Sequence, residues 1–209
     1  MRYLVLSFLS VLLCFKGTAQ RNYTAIGLQA GLTTITSSSS TEEYESYVGE
    51  GFLVAFAAER HFDKKQRALH ISITGKMGIA QFESTEKYTL IDPYYPDKAT
   101  YHSVRATTRM AQIGAGSALN YTILRSKRVQ MHTGLTAMPM LELGNFEEDI
   151  KMNMAIEAHY GLNLGQHVSL GMRVSQPLDG YRASVNIGPR TIGYKYVLTN
   201  VLFDFRYIL

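Results

Sequence analysis

Cysteine occurs once in the 209 residues, at Cys14, and tryptophan does not occur at all. A lone thiol so near the N-terminus rules out a disulfide framework, so the fold must be held by packing and hydrogen bonding. Long apolar runs are also missing after residue 15, and a transmembrane helix needs about 20 such residues. Any membrane-spanning part must therefore be built of strands. No basic stripe interleaves with stacking aromatics, and the formal net charge is only +4, so the pI of about 9.1 is no sign of nucleic-acid binding. Gly114-Ala115-Gly116 lies inside a strand-like pattern with no helix to follow, which excludes a phosphate loop. His102 and Ser103 are adjacent, would point to opposite faces of a strand, and have no acidic third member at a useful spacing. Neither a catalytic residue nor a cofactor is expected.

What the N-terminus does have is the layout of an export signal, MRYLVLSFLSVLLCFKGTAQ. Arg2 supplies the positive start, residues 3–15 the apolar stretch, and Gly17-Thr18-Ala19 the small residues of a cleavage site. Cleavage after Ala19 makes residues 1–19 a signal peptide and 20–209 one domain. Leu13 is bulky where a lipoprotein signal has a small residue, so Cys14 is read as part of the leader, and the mature chain as free of cysteine.

The mature sequence alternates apolar and polar residues with period two in eight segments: 24–32, 51–62, 69–79, 104–123, 129–141, 151–164, 167–175 and 194–209. In the sixth, Met152, Met154, Ile156, Ala158, Tyr160, Leu162 and Leu164 alternate with Asn153, Ala155, Glu157, His159, Gly161 and Asn163. In the eighth, Val197, Val201, Phe203, Phe205, Tyr207 and Leu209 oppose Asn200, Asp204 and Arg206. Helical periodicity explains none of these runs. Long connections are expected at 36–50, 83–103, 142–150 and 176–193, short turns at 63–67, 125–128 and 165–166. Such an alternation of lengths puts both termini on the short-turn side of an antiparallel, up-and-down barrel.

Lipid offers no partner to backbone N–H and C=O groups, so a spanning sheet must close on itself. Eight strands leave an interior that side chains can fill. A packed, polar lumen is therefore expected, in place of the open pore of larger barrels. A soluble ligand-holding barrel would need apolar residues inside and charge outside, the reverse of what most segments offer.

The Gly17-Thr18-Ala19/Gln20 signal end, the eight dyad-patterned strands and the aromatic final strand Phe203-Asp204-Phe205-Arg206-Tyr207-Ile208-Leu209 carry a resemblance. The chain resembles the small outer-membrane β-barrels of Bacteroidetes-type bacteria, the PorT-like or OmpA-membrane-domain-like group. The resemblance implies that Phe203, Phe205, Tyr207 and Leu209 form the signal read by the barrel-assembly machinery, with Leu209 where an aromatic residue often stands. It implies no residue-specific activity.

Parity places Lys76, Glu157, Arg173, Glu59 and His159 in the lumen as a polar network, with Glu157 and Arg173 on neighbouring strands. Paired, they would satisfy buried charge; as a functional feature they would be a gate or proton path. His61, His70, His132 and His159 also point inward, and His61 could face His70 across one hairpin. Their spacing forms no metal-ligand motif, so lumen filling and hydrogen bonding are the expected role and no metal is expected.

The first three long connections are acidic (Glu42, Glu43, Glu45, Glu50; Glu83, Glu86, Asp92, Asp97; Glu142, Glu147, Glu148, Asp149), while Lys64, Lys65, Arg67, Arg125, Lys127 and Arg128 make the turns basic. Solvation and contact with lipid head groups are the expected reading of both; the functional alternative is binding of divalent cations or a basic partner outside and of a phosphate-rich or acidic surface inside. With no tryptophan, tyrosine must supply any aromatic girdle, and Tyr101 and Tyr194 suit it. Tyr94 and Tyr95 suit contact with a partner.

The whole reads as a non-enzymatic integral outer-membrane barrel with periplasmic termini and a structural, adhesive or complex-subunit role, secretion or surface machinery included. Its expected partners are outer-membrane lipids, the assembly machinery and proteins met through the outer loops. A narrow channel for small solutes and a lipid-modifying enzyme are the alternatives. N-terminal sequencing of the protein recovered from membranes should start at Gln20; a start at Met1, or a lipid-modified Cys14, contradicts the leader as drawn.

Overall fold

The computed structural model describes residues 22–39, 48–63, 68–92, 95–126, 129–144, 150–187 and 190–209. Nine strands follow one another along the chain: β1 (Tyr23–Ser39), β2 (Val48–Phe62), β3 (Leu69–Asp92), β4 (Tyr95–Arg125), β5 (Val129–Gly144), β6 (Ile150–Leu164), β7 (Val168–Pro177), β8 (Tyr181–Ile187) and β9 (Arg190–Ile208). All pairings are antiparallel, in the order β1-β2-β3-β4-β5-β6-β7-β9-β8, and β1 also pairs with β9. The wall is therefore a closed eight-stranded barrel of β1 to β7 and β9. β8 hangs beside it, paired only with the upper part of β9, Arg190 to Tyr196.

Closure has a measurable stagger. A row of paired residues starting at Tyr23 runs through His61, Ser72, Ala118, Thr136, Glu157, Ser175 and Asn200 and meets β1 again at Thr33, ten residues further on. Strand number and stagger together fix tilt and radius, and eight tilted strands leave an interior that side chains can fill.

Two of the expected long connections are mostly strand. Residues 83–103 continue β3 and β4 as a ribbon, and 176–193 contain β8 with its partner stretch of β9. Neither stretch keeps the apolar–polar alternation of the wall, but a ribbon beyond the lipid needs only β-forming residues such as Tyr88, Thr89 and Ile91 in one strand and Tyr101 in the other. Glu142, expected in a loop, is buried inside β5. Most of 36–50 and 142–150 lies outside the described residues, as do Lys64, Lys65, Arg67, Lys127 and Arg128.

Sidedness follows the dyad pattern. On β6 Met152, Met154, Ile156, Ala158 and Tyr160 are among the exposed residues, and Asn153, Ala155, Glu157 and His159 among the buried ones. The same holds around the wall: Leu32, Ile79, Leu135, Met152 (77 % exposed) and Phe203 (69 %) point out, while Lys76, Glu157 and Arg173 are buried. The exposed apolar area is far more than a soluble monomer shows. It is the outer face expected where lipid is the solvent.

The seam between β1 and β9 is built for close approach. A Cβ on Gly27 or Gly31 would fall 1.9 Å from the backbone oxygen of Phe205 or Val201 respectively. Any side chain there pushes the closing strands apart. Gly31→Val should cost about 1–3 kcal/mol from overpacking and reduce the folded fraction. This would be read as loss of the compact, heat-modifiable band on unboiled gels; a wild-type band and melting point would refute the tight seam.

Candidate functional site

The lumen has two storeys. The one nearer the short turns is polar, and Arg173 on β7 stands at its centre, 4 % exposed. Its Nε donates to Asp204 Oδ2 at 2.6 Å, Nη1 to Glu157 Oε1 at 2.6 Å and Nη2 to Glu59 Oε2 at 2.9 Å. Arg206 holds the same Asp204 through Nε, 2.9 Å from Oδ1, and also donates to Glu59. Lys76 Nζ donates to Glu157 Oε2 at 3.1 Å. Three carboxylates thus meet three cations, and the charges balance. Removal from water makes that balance obligatory, because an uncompensated ion here would cost several kcal/mol.

Four of the five residues assigned to the lumen by parity, Lys76, Glu157, Arg173 and Glu59, are joined directly in this way. Glu157 and Arg173 meet along a diagonal: across the β6–β7 ladder Glu157 faces Ser175, and Arg173 faces His159. His159, the fifth, is tied in through a relay. Its Nε2 lies 2.8 Å from Asn120 Oδ1, Asn120 Nδ2 donates to Ser72 Oγ at 2.8 Å, and Ser72 Oγ donates to Glu59 Oε1 at 2.5 Å. Asn120 spends its amide on Ser72, so its oxygen accepts and His159 Nε2 carries the proton. Asp204, Arg206, Ser72 and Asn120 belong to the network but were not among the residues singled out from sequence. For Asp204 and Arg206 the signal was present, as the polar face of the last strand.

Toward the turns the lumen is lined with imidazoles. His61 Nδ1 lies 3.2 Å from His70 Nε2, and Tyr23 stacks on His61 with ring centres 4.3 Å apart. His132 links them to His159, its ring centre 6.1 Å from that of His61 and 6.0 Å from that of His159. Across the β5–β6 ladder His132 faces Gly161 and Gly134 faces His159, so each imidazole lies over a glycine. A Cβ on Gly161 would sit 2.3 Å from His132 Nε2.

The far storey differs from the polar lumen expected throughout. Ile35, Leu53, Ala55, Ala80, Phe82, Met110, Leu198 and Leu202 form one buried apolar cluster, and Met138, Met140 and Ala155 a second. Polar residues persist among them, such as Thr33, whose Oγ1 donates to Asn200 Oδ1 at 2.7 Å. Segments such as Phe52-Leu53-Val54 are apolar on both faces, and a dyad reading assigns their apolar character outward.

Phe203, Phe205 and Tyr207 form an exposed row on the outer face of β9, with Leu209 exposed just beyond it. Tyr94 lies outside the described residues, and Tyr95 is placed only as the first residue of β4. Tyr101 and Tyr194 lie in strands β4 and β9.

Apolar residues outside, a neutralised charge network inside and a wall closed on itself define a transmembrane β-barrel. No family model matches the sequence, and no curated protein matches it. Solved structures with a similar fold include Neisserial surface protein A, at 10 % identity over 88 % of this chain and 97 % of that one, TM-score 0.41. Another is the outer membrane protein OprG from Pseudomonas aeruginosa, at 13 % identity over 91 % and 98 %, TM-score 0.47.

Arg173→Ala leaves three buried carboxylates short of a partner and should destabilise the barrel by about 3–5 kcal/mol. Arg173→Lys, which keeps the charge but not the three-way fork, should fall between Ala and wild type. Melting in detergent measures both, and an Ala variant as stable as wild type would remove the network from the structural account.

Proposed function

We propose that the protein is an integral outer-membrane barrel whose role is structural, adhesive or that of a complex subunit, carried by its ends and with no catalysis. The observation behind this is the far storey of the lumen. Leu53, Phe82, Met110, Leu198 and Leu202 close it with apolar side chains. The lining there is chiefly apolar, with polar groups such as Thr33 and Asn200 bonded to each other, and the cavity around Glu59, Arg173 and Asp204 amounts to about 10 Å³, space for a single water. A lumen so filled serves better as a rigid post than as a passage.

The export signal and the lipid-facing wall support placement in the outer membrane. The first described residues of β1 and the last of β9 lie at the short-turn end, which in such barrels faces the periplasm. The signal end, the dyad-patterned strands and the aromatic β9 support a relationship to the PorT-like barrels of Bacteroidetes-type bacteria, and so a subunit role in a secretion or surface complex. A contact element is at hand. β3 pairs with β2 only as far as Thr85 and β4 with β5 only from Met110, so the β3–β4 ribbon stands above its neighbours among the described residues. Tyr95, the first residue of β4, pairs with Asp92 at its end, and Tyr94 precedes it in the sequence.

Purified barrel in planar bilayers should give no stable conductance, and Arg173→Ala should remain silent because the apolar storey is untouched. Steady single-channel steps from the wild type would favour the narrow-channel reading. Crosslinking in native membranes through cysteines placed at residues 94 and 95 should capture a protein partner; recovery of monomer alone would count against the subunit role.

A further inference from the structure

We propose that the histidine cluster at the turn end of the lumen binds one transition-metal ion of the imidazole-preferring kind (zinc, copper(II) or nickel), with His61 Nδ1 and His70 Nε2 as its first two ligands. These residues lie on adjacent strands, His61 being paired with Ser72 and meeting His70 on the diagonal, and are 3 % and 5 % exposed. Their nitrogens are 3.2 Å apart. Two ligands of a tetrahedral ion at bonds of about 2.0–2.1 Å stand about 3.3–3.4 Å apart. The pair is thus already at chelating separation.

The surroundings prepare both rings for this role. Metal-bound histidines characteristically donate their other N–H to a carboxylate or carbonyl, which fixes the tautomer. His61 Nε2 lies 3.5 Å from Glu59 Oε1, and Glu59 is itself held by Ser72, Arg173 and Arg206. A proton on Nε2 leaves His61 Nδ1 as a bare lone pair directed at His70. Without metal, that lone pair accepts the His70 Nε2 proton, and His70 Nδ1 then has no hydrogen-bond partner despite its burial. Asp63 Oδ1, buried at the end of the same hairpin, also has none. When His70 Nε2 takes a metal its proton moves to Nδ1, and no net proton is released. Asp63 offers an open carboxylate oxygen on the same hairpin, its other oxygen being held by Arg125 at 2.6 Å.

His132 supplies the third ligand. Its Nδ1 is buried without a partner, and its ring centre is 6.1 Å from that of His61. Among the described residues no three donors already surround one point, so His132 must turn about its side-chain torsions to complete the site. Water would take the fourth position. Glu59 and Asp63, each already paired with arginine, flank the pair. Spacing in the sequence gave no ligand motif because the three histidines lie on three strands.

The full-length barrel, without a polyhistidine tag and in detergent, should bind one zinc ion in calorimetric titration. His70→Gln and His132→Gln should each weaken binding at least about ten-fold. His167→Gln, which alters an exposed ring stacked on Tyr207 outside the cluster, should leave it unchanged. Each variant is checked for the heat-modifiable band. Because a variant can fail to fold, pulsed EPR of copper(II) on the wild type gives an independent reading, with at least two coordinated imidazoles expected. Absence of saturable binding, undiminished affinity in a folded His70→Gln, or fewer than two coordinated imidazoles would overturn the site.

Discussion

Hydrogen bonding between the first and last strands of the wall is the interaction on which the rest depends. In a bilayer an unpaired row of N–H and C=O groups has nothing to bond to, at several kcal/mol per group, so a sheet that does not close does not span. β1 meets β9 from Ala25 to Ser39, and the glycines of β1 let the two backbones come together. The ten-residue stagger between Tyr23 and Thr33 follows from closure. It sets the tilt and the bore, and the bore decides what can be inside. A lumen this narrow is filled by side chains, and the dyad pattern decides which.

The two storeys then have complementary roles. Arg173 reaches Glu157 on its neighbour β6 but also Glu59 on β2, 114 positions away along the chain. Such contacts specify register. A slip of one residue in β7 would turn Arg173 into lipid and strand three carboxylates inside, a state too costly to compete. Charge pairs of this kind add little net stability relative to an apolar filling, so their contribution is uniqueness of pairing more than strength. The apolar storey above contributes what the ions do not, dispersion and burial without a desolvation penalty. It also keeps water from the ions below, so that their attraction is not screened.

Much of this was legible in the sequence. Outward Met152, Met154 and Ile156 on β6, inward Glu157 and His159, and inward His61 and His70 on adjacent strands all follow from period-two alternation plus a short turn, although His61 is paired with Ser72 and meets His70 only on the diagonal. What alternation cannot supply is proximity across the bore. Glu59 meeting Arg173 and Arg206 depends on the closure stagger, which only the full circuit of pairings determines. Nor can it assign segments that are apolar on both faces: Phe52-Leu53-Val54 and Val197-Leu198 send one apolar residue out and the next in, and hydropathy alone favours neither. The strands at 83–103 and 176–193 were hidden for another reason. Beyond the lipid boundary a ribbon loses its apolar face, and with it the signal by which strands were recognised.

Where function can reside follows from the filling. Because Leu53, Phe82, Leu198 and Leu202 fill much of one storey and balanced ions the other, side chains occupy the bore between the two ends. The β3–β4 ribbon and the imidazoles thus stand at opposite ends of the barrel, with the filled bore between them. The two ends are therefore free to specialise independently. One offers a tall ribbon whose length no membrane requirement explains. The other offers imidazoles packed over glycine, an arrangement that lumen filling alone would not need, since larger apolar side chains could fill the same space without burying ring nitrogens that lack partners.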